Sequence, residues 1–259
     1  MSRPLIILGS GGGAHDVLDL VEALNRVDLR WELLGFLDDV RPAGSHYLGL
    51  EILGGLRDAP SFGACTFVNA IGSDKNYRRR SEILGATGMP ADRFATLVHP
   101  GASVSPRATL GRGVSVHFGA SVGGNASIGD QAMLGPGSIV GHDCIVEDYA
   151  ILAPGAVVSG FVQVGRAAYL GARCAIRQQL RVGDECLVGI GAIVIRDVRR
   201  GAIVVGNPAR PLRHADVLVG SEVASCAESM LSSRVTNTHV ICEKAFGAFS
   251  TSRCRISEP

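Results

Sequence analysis

Seventeen aliphatic residues stand six apart along the middle of this chain, from Val98, Val104, Leu110 and Val116 to Val188 and Val194, without an interruption. Four places after each comes a second, mostly small residue, as at Ala102, Ala120, Ala126, Cys144, Ala150, Ala168 and Cys186. A period of six fits neither the helix repeat of 3.6 nor two-residue strand alternation, so it marks a repeat architecture of its own. One hexad cannot bury its own aliphatic side chain and must stack on copies of itself. Three short parallel strands per eighteen-residue turn satisfy that need, with residues 18 apart lying one above another. Glycine follows the aliphatic residue at 111, 123, 129, 141, 165 and elsewhere, a placing that reads as turn formation between strands.

Upstream the pattern changes. An apolar run, Leu5-Ile6-Ile7-Leu8, is followed by Gly9-Ser10-Gly11-Gly12-Gly13, then by Val17, Leu18, Leu20, Val21 and Leu24 at helical spacing. Strand, glycine turn and helix place main-chain N–H groups where a phosphate can sit, so Gly9, Ser10, Gly11, Gly12 and Gly13 are candidate substrate contacts. A second strand, Trp31–Leu37, ends in Asp38-Asp39, and Asp38 lies near the spacing at which an acid meets a ribose. A third strand, Thr66–Gly72, precedes a basic helix at Lys75–Arg80, whose arginines Arg78, Arg79 and Arg80 read as a solvated face. Three or four strands make a small Rossmann-like domain with room for one nucleotide rather than a dinucleotide.

Composition narrows the classes. The net charge is +1 over 259 residues, which gives no reason to expect a nucleic-acid partner. No apolar run of spanning length and no signal peptide are apparent, so the expectation is a soluble, cytoplasmic protein without a membrane partner. Cys144, Cys174 and Cys186 fall on the small inward position, where cysteine packs as a hydrophobe, and no CxxC pair suggests a metal or disulfide framework. His99 and His117 lie 18 apart and should stack on one face. A third histidine for a zinc site is not apparent, and no metal is expected.

Taken together, the short GxGG-type domain, Gly35-Phe36-Leu37-Asp38-Asp39, Ala70-Ile71-Gly72-Ser73-Asp74, His99-Pro100 and the hexapeptide coil resemble the sialic-acid O-acetyltransferase/bacillosamine N-acetyltransferase family over about residues 3–213. The resemblance implies an α/β Rossmann-like domain over 1–93 and a left-handed parallel β-helix over 94–213. Residues 214–259 read as a poorly structured tail. It also implies acetyl-CoA as co-substrate, an amino or hydroxyl acceptor on a sugar, often nucleotide-linked, and a homotrimer with sites between adjacent coils. The family's general base falls on His142, in Val140-Gly141-His142-Asp143-Cys144, its carboxylate on Asp143, and its oxyanion-binding N–H on Gly160. His142 comes two places after an inward aliphatic, where side chains point outward, and Gly160 lies one coil further on. A second family histidine, which contacts the acetyl donor, is replaced here by Ile151. Candidate contacts for the donor along the late coils are Gly171, Ala172, Gly189, Ile190, Asn207, Pro208 and Arg210, with Arg213 beyond. Gly206-Asn207-Pro208-Ala209 is similar to the segment that ends many such coils. The alternative is a catalytically idle scaffold that binds a nucleotide sugar or partner proteins.

Overall fold

The computed structural model describes residues 2–212; Arg213 and the tail 214–259 lie outside the described residues. The amino-terminal part is a five-stranded sheet built from β1 (Arg3–Leu8), β2 (Trp31–Leu37), β3 (His46–Tyr47), β4 (Leu50–Gly54) and β5 (Thr66–Asn69), in the order β3-β4-β2-β1-β5. All pairs are parallel except β3 with β4. As an interior strand of a covered parallel sheet, between β2 and β5, β1 reads as a continuous apolar run, and Leu5 through Leu8 are fully buried. Leu5 and Ile7 pack with Val17, Leu20 and Val21 of the helix α1 (Gly13–Val27), while Ile6 and Leu8 pack with Phe67 and Leu84 on the other side. Phe94 and Ala95 still belong to this core, and Ala95 N–H bonds Phe67 O at 2.8 Å. The next pair, Leu97–Val98, is already the first rung of the coil.

The coil has three flat faces of two-residue parallel rungs. Val98, Val116, Leu134, Leu152, Leu170 and Val188 stack on the first face; Val104, Val122, Val140, Val158, Ile176 and Val194 on the second; Leu110, Ile128, Val146, Val164 and Val182 on the third. These residues, with the small set at the corners, form one continuous core. Burial pushes the Cys174 thiol up to about 12, in keeping with its role as a hydrophobe. An antiparallel pair, Ile203–Val205 with Arg210–Pro211, closes the last coil.

The turn chemistry differs from the expectation. The left-handed residue is the third after the aliphatic, with φ between 51° and 61° at Asn125, Gln131, Asp143, Tyr149, Phe161, Ala167, Arg173, Gln179 and Glu185. Glycine directly after the aliphatic answers a different need, the close approach of the next coil. A Cβ on Gly129 would lie 2.6 Å from Asp148 N, and one on Gly141 would lie 2.7 Å from Gly160 N.

The arginine run is a solvated face only in part: Arg78 and Arg79 are exposed, Arg80 is not. A 3-10 turn at Tyr77–Arg79 leads into α2 (Arg80–Gly85), and this geometry sends the three side chains apart. Arg80 is 0% exposed and donates to Ile71 O at 2.9 Å, Tyr149 O at 2.6 Å and Gln131 O at 2.9 Å. Burial pulls its guanidinium down to about 9, still charged at neutral pH. Arg78 donates to Glu185 O at 3.2 Å and Gly201 O at 2.9 Å. Together with an apolar patch of Tyr77, Met133, Ile151, Tyr169 and Leu187, these bonds fasten the α/β part to the coil.

Candidate active site

His142 stands at the corner that follows the second face, its side chain 62% exposed as the spacing predicts. Its Nδ1 lies 2.8 Å from Asp143 Oδ2, and Asn125, one coil below, donates from Nδ2 to Asp143 Oδ1 at 3.2 Å. The hydrogen bond with His142, then that from Asn125, holds the Asp143 carboxyl below the usual carboxylate range. An ionised carboxylate only accepts, so the neutral tautomer that fits this contact carries its proton on Nδ1 and leaves the Nε2 lone pair open. Asp143 reaches back to its neighbour because it takes the left-handed corner conformation, φ 56°, which aspartate tolerates well. Asn125 was not singled out from the sequence, although the 18-residue register points to it from Asp143.

Gly160 lies against the face of this ring: a Cβ there would come 2.7 Å from both His142 Cε1 and Nε2. No hydrogen bond to the Gly160 N–H is found among the described residues. Phe161 meets the ring edge-on, with centroids 5.1 Å apart. Around this corner Ile139, Ile145 and Phe161 are 44%, 44% and 54% exposed, an unusual apolar surround for a polar pair.

The glycine loop forms a second site. Gly9, Gly11, Gly12, Gly13, Asp38, Asp39, Ser73, Asn76 and Arg79 are among the residues lining a pocket of about 580 Å³. Two of the glycines serve the fold: a Cβ on Gly9 would strike Ile71 at 2.5 Å, and one on Gly13 would strike Ala70 O at 2.5 Å. At Gly11 and Gly12 a Cβ would meet nothing within 4 Å, and no side chain caps the first turn of α1. Ala14 and His15 N–H bond Gly11 O and Gly12 O, but no bond to the N–H of Gly11, Gly12 or Gly13 is found among the described residues, and that open space with those donors suits an anion.

The two aspartates divide their tasks differently from the expectation. Asp38 accepts from Ser10 N–H at 2.7 Å, Val40 N–H at 2.7 Å and Arg41 N–H at 2.9 Å. Burial acts to raise its pKa, but these donors outweigh it and leave the carboxyl below its ordinary value. Both oxygens are thus engaged in shaping the loop, and Ser10 is itself 3% exposed. Asp39 spends Oδ1 on Leu56 N–H at 2.8 Å; no bond to Oδ2 is found among the described residues. Arg79 stands at the pocket with Glu82 3.2 Å away.

Within one chain His142 is not brought to the glycine-loop pocket. The contacts of the α/β part run to Gln131, Tyr149, Ile151, Tyr169 and Glu185, on and beside the first face, whereas His142 projects from the corner after the second. Ile151 is 5% exposed and packs under Tyr77 and Gly72. Gly171 and Gly189 are explained by coil packing, since a Cβ on either would meet the next coil at 2.6 and 2.7 Å. Ala172 and Ile190 stack at the corner after the first face, with Ile190 81% exposed. Asn207, Pro208 and Arg210 are exposed at the closing hairpin, joined there to Ile193 through Ala209 N–H.

Residues 4–84 match the model of the PglD N-terminal domain, and residues 125–160 that of the bacterial transferase hexapeptide (six repeats). The chain is similar to the acetyltransferase domain of PglB from Neisseria gonorrhoeae, at 31% identity over 82% of this chain and 100% of that one, TM-score 0.71. A second structure of that domain is in complex with acetyl coenzyme A. It is also similar to PerB from Caulobacter crescentus, solved in complex with CoA and GDP-perosamine, at 27% identity over 81% of this chain and 97% of that one, TM-score 0.70. A curated relative, 2,3,4,5-tetrahydropyridine-2,6-dicarboxylate N-acetyltransferase from Staphylococcus aureus, is 44% identical over 46 residues. That match spans 18% of this chain and only 19% of the relative's length. The coil is accordingly the left-handed parallel β-helix that the family resemblance implies.

Proposed function

The chain belongs to the hexapeptide-repeat sugar acyltransferases that carry a PglD-type N-terminal domain, and on that premise we propose that it transfers acetyl from acetyl-CoA to an amino or hydroxyl group of a nucleotide-linked sugar, with His142 as general base. One observation carries the assignment of the base: an exposed imidazole whose Nδ1 is held by Asp143 at 2.8 Å and whose Nε2 lies free over Gly160. The acceptor's lone pair attacks the thioester carbon while Nε2 takes its proton. Asp143 fixes the tautomer and stabilises the imidazolium. The Gly160 N–H meets the developing oxyanion, a contribution of roughly 3–4 kcal/mol in comparable acyl-transfer sites. Collapse expels the CoA thiolate, which recovers the proton from the imidazolium. Neither a metal nor a covalent enzyme intermediate enters these steps.

The nucleotide belongs in the glycine-loop pocket, its diphosphate at the first turn of α1 and its nucleoside toward Asp39. A homotrimer explains how that pocket reaches the base. The apolar surround of His142 (Ile139, Ile145 and Phe161) is the kind of surface a second copy covers, bringing another chain's first face to the imidazole. CoA then lies in the same groove, with Ala172, Ile190, Asn207, Pro208 and Arg210 along its length. On this reading the α/β part, up to Ala95, binds the acceptor, and the coil from Leu97 onward performs the transfer.

The test is CoA release from acetyl-CoA against a panel of UDP- and GDP-amino sugars, with His142→Ala alongside. Turnover with at least one acceptor, lost in the variant, is the expected result. Full activity of His142→Ala sinks the base, and tight nucleotide-sugar binding without turnover on any acceptor favours the scaffold.

A further inference from the structure

Eighteen residues apart on the edge of the first face stand His99, His117, Gly135, Ala153, Gly171 and Gly189, a column in which only the lowest two carry large side chains. Above His117 the small residues Gly135 and Ala153 leave a cleft of about 130 Å³, walled by Met133, Ile151 and Tyr169 on one side and by Gly13 and Asp16 on the other. Gly13 and Gly72 line both this cleft and the glycine-loop pocket, so the two spaces meet at the first turn of α1.

His117 is 3% exposed, and an apolar side chain in its place would fill the same volume without the cost of desolvating an imidazole. Burial pushes its pKa down, and His99 acts in the same direction; the carboxylate and main chain of Asp16 act the other way. The ring is thus held neutral, with one nitrogen to donate and one to accept, which suits a hydroxyl. His99 is differently engaged: its Nδ1 accepts Gly101 N–H at 2.8 Å, and Phe118 covers its edge.

We infer that His117 reads the sugar of the acceptor: the sugar turns from the glycine-loop pocket into the adjoining cleft, where the buried imidazole and the Asp16 carboxylate bind its hydroxyls. This rests on the nucleotide-sugar reading above and adds the residue that distinguishes the sugar from the nucleotide. It makes His117 a specificity-determining residue on the α/β side of the site, separate from the proton chemistry at His142.

Calorimetric titration of the full chain with UDP, GDP and their amino-sugar conjugates tests it, using His117→Phe to keep the volume and His117→Gln to keep a hydrogen bond. The expected result is that His117→Phe binds the free nucleotide as the unaltered protein does but loses about tenfold in affinity for the conjugate, with part of the loss restored in His117→Gln. The KM for acetyl-CoA stays unchanged. Equal losses for nucleotide and conjugate indicate a merely structural imidazole and overturn the inference, as does undiminished binding of the conjugate. Failure of the unaltered protein to bind any conjugate or nucleotide overturns the nucleotide-sugar reading itself, and this inference with it.

Discussion

At the corner after the third face, the second residue past the aliphatic is Arg112, Asp130, Asp148, Arg166 and Asp184 in successive coils; at the corner after the second face it is Gly124, His142, Gly160 and Gln178. The backbone steps are equivalent, yet the polar groups are handled differently. On the third-face corner each aspartate caps the coil beneath it: Asp130 Oδ1 accepts Arg112 N–H at 2.8 Å, Asp148 Oδ1 accepts Asp130 N–H at 2.9 Å, and Asp184 Oδ1 accepts Arg166 N–H at 3.1 Å. On the other corner no acid reaches the Gly160 N–H, and the His142 imidazole, one coil below, lies against the glycine. One corner uses its acids to satisfy three of its own N–H groups; the other has no such acid and sets an exposed imidazole beside an unbonded donor. On the proposed mechanism, the reactive place is one where the acid cap of the neighbouring corner is missing.

Substitutions sharpen this contrast. His142→Ala should cost the most, roughly 10²–10⁴-fold in kcat with the fold intact, because it removes an exposed base and no packing. Gly160→Ala comes next, since its methyl has to displace the ring from its place. About 10²-fold in kcat is expected, with little change in the melting midpoint. Asp143→Asn keeps a side chain that accepts the left-handed conformation but loses the charge that orients the imidazole. A fall of roughly 10–100-fold, smaller than for the buried carboxylate of a serine-protease triad, is expected in steady-state assays. Asp184→Ala, on the self-satisfied corner, should lower stability by about 1 kcal/mol in denaturant titrations while kcat stays as it was. Loss of activity there, or its retention in Gly160→Ala, breaks the distinction between the two corners.

Most of the coil was legible because every hexad meets the same surroundings, so one rule, repeated, places Val140 over Val122 and His142 on an outer corner. What the period could not show was which position turns the chain. The glycines after the aliphatics drew attention, although their reason is the approach of the next coil, and the bend falls two residues later on side chains as unlike as Gln131 and Phe161. In the α/β part, strand and helix were legible from local runs, but side-chain fates depend on distant partners. Arg80 reads as surface from its neighbours in sequence and is fully buried, because carbonyls of Gln131 and Tyr149 come to it from the coil. Asp38 and Asp39 look alike in sequence and differ only through Ser10, Val40, Arg41 and Leu56, whose N–H groups choose between them.

The grip of Arg78 and Arg80 on the coil is made entirely to main-chain oxygens, those of Gln131, Tyr149, Glu185 and Gly201. Any hexapeptide prism with the same step offers those oxygens whatever its side chains. A module transplanted together with its own 71–85 segment therefore carries the polar half of its fastening with it and needs from the new coil only apolar counterparts of Met133, Ile151, Tyr169 and Leu187. The seam between the two parts is thus written partly into the backbone, which every coil supplies, and partly into four side chains, which only a compatible coil supplies.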